Sequence, residues 1–143
     1  MERRDIIKDE IEQVSRILAK IFADFVGAKS QGNISEAREI SNQQLLSQLD
    51  IKVEEVLSLR DDDLRNYIGA RNLTAEHLEV LSEYLRESGL SLMDDNNQAS
   101  INNLELSIHL LDIADETSGT FCFSRMEKKS KLIIKLRNQI DHR

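Results

Sequence analysis

Proline is absent from this chain of 143 residues, and glycine occurs only five times. A proline in a helix interior costs about 3 kcal/mol, so a chain without one, and with few β-branched clusters, points to helix throughout. Tryptophan is also absent and aromatic residues make up 4%, which leaves leucine and isoleucine to build the core. The single cysteine, Cys122, cannot form an internal disulfide, so the fold draws nothing from an oxidising compartment. No apolar run is long enough for a signal peptide or for the ~20 residues of a membrane span. Lys20 and Asp24 interrupt even the richest stretch. The expected address is a bacterial-type cytoplasm. Phosphate loops, metal-ligand spacings and catalytic signatures are missing as well, and no cofactor is expected.

What is present fits a globular chain: 40% apolar and 31% charged residues, with a net charge of −7. That charge is uneven. Ser124 to Arg143 holds seven Lys or Arg against Glu127 and Asp141, a local balance of +5, so the remainder carries −12.

The opening helix, about Arg4 to Ala28, organises the reading. Ile7, Ile11, Val14, Leu18, Ile21 and Phe25 recur in steps of four and three, and Ile6, Ile17, Phe22 and Val26 widen the stripe. So broad an apolar face must be buried against several neighbours or against a second copy. It is therefore expected to be the central post of the fold. Asn33 with Glu36 resembles a capping box opening a second helix to about Leu49. That helix is weakly amphipathic, because Ser41-Asn42-Gln43-Gln44 interrupts Ala37, Ile40, Leu45, Leu46 and Leu49; the polar band faces water or lines a groove. Asp50 closes this unit.

Short helices are predicted at Val53–Leu59 and Asp61–Ala70, the second with Leu64, Tyr67 and Ile68 on one face. Asp61-Asp62-Asp63 reads as first-turn acid complementing the helix dipole. Thr74 is the expected cap of a helix that stops at Gly89. The next runs from about Ala99 to Glu116 with two adjoining apolar stripes, which implies contact from two sides. Phe121 and Phe123 are expected to tuck back onto this hairpin. Ser124 with Glu127 forms a second capping box, opening a last helix with Met126, Ile133, Leu136 and Ile140 inward.

Chemistry-bearing residues are few. Glu105, His109, Asp112 and Glu116 share one helix face, and carboxylate with imidazole on adjacent turns is how bundles assemble divalent-metal sites. Such sites draw on more than one helix and use a Glu-x-x-His element, which neither His77 nor His109 has, so a solvated face is the expectation. Cys122, between Phe121 and Phe123, reads as a small buried hydrophobe rather than a nucleophile. His77 reads as a surface or capping residue. The basic last helix lacks the interleaved aromatics of a nucleic-acid binder and is expected to lie against its own acidic neighbours.

Ser107-x-x-x-Leu111-x-x-Ala114 is similar to the second helix of a tetratricopeptide repeat, where small, large and small residues recur at that spacing, with Gly119 where that family has proline. The opening helix, the EISNQQL segment at Glu39 to Leu45 and NLTAEHLEVLSEYL at Asn72 to Leu85 resemble a small family of bacterial all-helical proteins of unknown function. That resemblance implies an all-α fold and transfers no site.

The expectation is thus a single all-α domain over 1–143, with six or seven helices and a tetratricopeptide-like hairpin at about 99–140. The leading functional reading is a protein–protein interaction or scaffold module that binds a protein partner or a second copy. Ile7, Ile11, Val14 and Leu18 of the opening helix and Lys128, Lys131 and Lys135 of the last are its candidate interaction residues. Two other classes stay open. One is a metal-dependent hydrolase using the Glu105, His109, Asp112 and Glu116 face; the other is an accessory protein that binds nucleic acid or an anionic membrane through the basic helix.

Overall fold

The computed structural model describes residues 2–120 and 122–141, with side chains described for 8–120 and 122–140. Among the described residues the chain is all-α. Its helices are α1 (Glu2–Ser30), α2 (Ile34–Leu49), α3 (Val53–Ser58), α4 (Asp61–Ala70), α5 (Ala75–Ser91), α6 (Asn97–Ser118) and α7 (Phe123–Asp141). The chain divides into two compact units, Met1–His77 and Leu78–Arg143, each with one dominant helical hairpin.

In the first unit the chain reverses between α1 and α2 at Gly32, whose φ of +88° suits a residue without Cβ. Leu18, Ile21 and Phe25 of α1 are buried, as are Ala37, Ser41 and Leu45 of α2. The small Ala37 and Ser41, four residues apart, let the two backbones approach. The α2 cap differs from the expected box. Asn33 makes no side-chain cap bond; its Nδ2 instead donates to Glu36 Oε2 at 2.7 Å. At the other end Asp50 takes the left-handed conformation, φ 55°, and donates its N–H to Leu46 O.

Asp50 is held by α4 and the residue that follows it. Arg71 Nε donates to Asp50 O at 2.6 Å, and Tyr67 OH donates to the same carbonyl while accepting from Lys52 N–H at 2.9 Å. The Arg71 guanidinium also stacks 3.4 Å from the centre of the Tyr67 ring. Leu64, Tyr67 and Ile68 are buried together, as their spacing predicts.

α1 is about 44 Å long against about 24 Å for α2, at 1.5 Å per residue, so its N-terminal half runs on past the hairpin. That half is tied by His77, which is 1% exposed. His77 Nδ1 accepts the Thr74 N–H at 3.0 Å and Thr74 Oγ1 accepts the His77 N–H at 3.3 Å, a reciprocal cap with histidine where Glu or Gln is usual. Because the Thr74 amide can only donate, Nδ1 is unprotonated in the neutral ring and Nε2 carries the hydrogen. Nε2 lies 3.0 Å from both Ile11 O and Ser15 Oγ of α1. His77 is thus a capping residue but not a surface one.

In the second unit α6, not α1, has the burial of a central post. Eleven of its residues are buried, and they cover about two-thirds of its circumference, leaving the Glu105, His109, Asp112 and Glu116 side open. This is the two-sided contact its paired stripes predict. Toward α7 it gives Leu104, Ile108 and Leu111 to a cluster with Leu132, with Leu90 and Leu136 packed at the edge. Toward α5 the seam is small and polar. Ser107 Oγ donates to Ser82 O at 2.8 Å, Ser82 Oγ lies 2.7 Å from Ser107 Oγ, and Ser100 Oγ donates to Gly89 O at 2.6 Å.

Gly89 is therefore not the stop its position suggests, since α5 continues to Ser91. It is a point where α6 packs close against α5. A Cβ there would lie 3.0 Å from Asn103 Cβ, 3.2 Å from Ser100 O and 3.3 Å from Leu104 Cδ2. Gly→Ala in a helix normally gains roughly 0.5–1 kcal/mol, but overpacking costs typically ~1–3 kcal/mol. Backbone and Cβ neighbours cannot swing away, so the second term wins. Gly89→Ala is expected to destabilise the protein by about 1 kcal/mol in urea unfolding. A variant more stable than the parent would show that the helices separate freely.

The last helix corrects the sequence reading. Met126, Ile133 and Ile140 face outward instead of inward, and of the expected inner set only Leu136 packs against the core. The buried line is Arg125, Leu132 and Gln139. Phe123 also stands away from the hairpin, 68% exposed; Phe121 lies outside the described residues. Nor does Ser124 cap the helix, because α7 already begins at Phe123 and the Met126 N–H bonds Cys122 O at 3.1 Å.

Candidate interaction surface

The rotation of α7 follows from its charges. Arg125, half-ringed by α6 and α5, donates from Nε to Asp115 Oδ1 at 2.6 Å, from Nη1 to Glu79 Oε1 at 3.2 Å and from Nη2 to Ser118 Oγ at 2.9 Å. The Asp115 bond holds its pKa above even the usual arginine range; burial opposes this and Glu79 adds to it. Lys128 Nζ pairs with Glu83 at 2.8 Å, and Lys129 pairs with Asp112. A buried arginine without partners would be costly, so the acidic side chains of α5 and α6 select which face of α7 turns inward. The expected docking of the basic helix on its own acidic neighbours is what these pairs describe.

The face left outside is apolar. Residues on a helix advance by about 100°, so Met126, Ile133 and Ile140, seven apart, form one line. Phe123 and Ile134 form a second, with Ser130 and Arg137 between them. Ile134 is 58% exposed, and Met126, Ile133 and Ile140 are each more than a third exposed. Glu127 and Asn138 border this band on the side of Ile134, with Lys131 and then Lys135 further round the helix, all exposed. Glu127 lies 3.7 Å from Lys131, a loose pair on the surface.

The candidate interaction residues fall in different settings. Leu18 is 2% exposed and belongs to the core of its own unit, Ile11 and Val14 are half-buried, and the Ile7 side chain lies outside the described ones. Lys128 is engaged by Glu83, while Lys131 and Lys135 stand outward. Sequence spacing places Met126, Ile133 and Ile140 in the core, which leaves this outer face without a signal in apolar periodicity alone.

The polar band of α2 does line a groove, though only in part. Asn42 and Gln43, with Arg38, Glu39 and Leu46, form one wall and Lys52, Val53 and Glu54 the other, around ≈ 480 Å³. Ser41 is buried under the helix. The lining carries two cations and two carboxylates, so the groove has no charge preference.

Among the described residues no three His, Cys, Asp or Glu side chains are placed to hold a metal ion. Glu105, His109, Asp112 and Glu116 follow one another along α6, but no second helix adds a ligand and Asp112 is taken by Lys129. Cys122 is half-buried. No described helix is long and apolar enough to cross a membrane.

The fold defines an all-α protein of helical hairpins with an uncovered apolar helix face. Comparison with protein-family models, with curated proteins and with solved structures finds no match to the chain.

Proposed function

We propose that this protein is a protein–protein interaction module and that it engages its partner through the outer face of α7. One observation carries the reading: a helix whose inner side is already occupied by Arg125, Leu132 and Gln139 still exposes Met126, Ile133, Ile134 and Ile140 in one band. Burying a large aliphatic side chain is worth roughly 1.5–3 kcal/mol, and a contiguous exposed band of them is the usual mark of a surface that another molecule covers. The wide apolar face of α1 no longer supports the reading to the same degree, since Leu18, Ile21 and Phe25 are consumed within their own unit.

The test is a photocrosslinking amino acid placed at position 134 in the source cell, with position 102 on the exposed side of α6 as control. A discrete protein adduct from position 134 that is absent from position 102 is the expected result. Equal adducts from both positions, or none from 134, would sink the reading. Ile133→Asp with Ile134→Asp should change stability by no more than ~0.5 kcal/mol, as exposed substitutions do, while removing the adduct formed from a crosslinker at Ser130.

A further inference from the structure

Resting on α7 as the docking face, we infer that its partner is a second copy of this chain, with the two α7 helices laid antiparallel. Helix geometry comes first. At about 100° per residue, Arg137 and Ser130 lie in the middle of the exposed band, between the Met126 line on one side and Phe123 with Ile134 on the other. Glu127 follows Ile134 at the rim. Whatever covers the band must set a carboxylate against Arg137, because a cation beneath an apolar cover is costly without one. It must also offer a large side chain opposite the small Ser130.

The band supplies both when it meets itself in reverse. Met126, Ile133 and Ile140 repeat every seven residues, as do Phe123, Ser130 and Arg137, and two such adjoining lines pack knobs into holes between helices. With the copies antiparallel and the two-fold axis between residues 131 and 132, Ser130 stands level with Ile133 of the copy, and Phe123 with its Ile140. Arg137 stands level with Met126 of the copy, whose neighbour Glu127 lies on the same side of the seam. The axis thus creates two Arg137–Glu127 pairs, one at each end. Glu127 is available for this, since its contact with Lys131 is a loose one at 3.7 Å. Parallel copies would instead set Arg137 against Arg137 and Ser130 against Ser130, a like-charge contact beside an unfilled space.

Charge outside the band selects nothing. Arg125, Lys128 and Lys129 are matched within the chain, and Lys131 and Lys135 lie further round the helix than Glu127. The net charge of −7 repels a copy at long range, but at about 0.15 M salt it is screened beyond about 8 Å. A membrane-surface helix carries its cations on the flanks of the apolar face, whereas here Arg137 is central and Glu127 and Asn138 line one rim. Phe123 to Ile140 spans about 26 Å at 1.5 Å per residue. One helix face of that length falls at the small end of specific interfaces, about 1,200 Å² in total, so monomer and dimer are expected to exchange.

The experiment is sedimentation velocity of the full chain up to about 200 μM, where a complex of micromolar Kd is populated. The mass is expected to rise with concentration from 16.4 kDa toward twice that value. Ile133→Asp should hold it at the monomer with its circular dichroism unchanged. Arg137→Glu and Glu127→Arg should each weaken the dimer about tenfold, and the two together should restore it. The photocrosslinker p-benzoylphenylalanine in place of Phe123 should join to the region of Ile140 on the copy, out of reach along its own helix.

A monomer at every concentration overturns the second copy, and so does a monomer that floats with phosphatidylserine vesicles. A double exchange that restores nothing, or a crosslinked dimer joined near residue 123 of both chains, overturns the antiparallel pairing. The two readings fail separately. A cellular adduct from position 134 to a different protein removes only the second copy, whereas a dimer indifferent to Ile133→Asp, with no adduct from 134, removes α7 as the face.

Discussion

Leu104→Ala is expected to lower the unfolding free energy by about 3 kcal/mol, within the roughly 2–5 kcal/mol that follows truncation of a buried leucine. Leu104 is completely buried and joins Ile108, Leu111 and Leu132, so its removal opens a cavity where α6 meets α7. Its Cδ2 also lies where a Cβ on Gly89 would press, which places it at the close contact of α5 with α6. Neither neighbour can move in to fill the gap, because α5 is fixed by the Ser82–Ser107 and Ser100–Gly89 bonds and α7 by the Arg125 pairs. Urea unfolding of the full chain measures the loss, and amide exchange of α6 localises it. Gly89→Ala added to Leu104→Ala should cost less than the sum of the two, since the added methyl enters space that the leucine vacated. A loss under 1 kcal/mol would mean that the helices collapse onto the vacancy.

Helix positions were the most legible part of this chain, for a plain physical reason. Apolar spacing and the absence of proline act locally, and the bounds of α4 match Asp61–Ala70 as read. Helix faces were legible only where apolar residues decide them. Leu64, Tyr67 and Ile68 point inward because nothing competes with their burial. In α7 something does compete. Counting apolar residues favours Met126, Ile133 and Ile140 as the inner line, yet three cations one step around the helix meet four carboxylates on α5 and α6. Those carboxylates are distant in sequence, so hydropathy along α7 alone cannot weigh them.

The candidate surface inherits that error. Reading Met126, Ile133 and Ile140 as the inner line of α7 hides them as a surface, so the same misassignment that misplaces the core conceals the exposed band. The uneven charge of the chain was the available signal. Pairing Arg125, Lys128 and Lys129 with Asp115, Glu79, Glu83 and Asp112 on the two preceding helices turns the helix the right way. Glycine was misread in a similar manner. Gly89 sits where a helix stop is expected, and only the arrival of Ser100 and Asn103 from α6 shows that it serves close packing instead.

His77→Ala is expected to cost about 3 kcal/mol, because one side chain closes two different connections. Its Nδ1 satisfies the Thr74 amide, and its Nε2–H reaches the Ile11 carbonyl and Ser15 hydroxyl of α1. Truncation leaves a buried N–H unpaired, at roughly 1–3 kcal/mol, together with a cavity where the ring stood. The two roles can be separated. Glutamine at this position can still accept the Thr74 N–H, as it does in an ordinary capping box, but it is not shaped to span the ring's path to Ile11. His77→Gln is therefore expected to lose about half as much as His77→Ala. Native-state hydrogen exchange should show where each loss falls. In His77→Gln the protection of α1 amides around Ser15 should drop while the first turn of α5 keeps its own; in His77→Ala both should fall. Equal losses in the two variants would mean that the tie to α1 carries the whole effect and the cap contributes nothing.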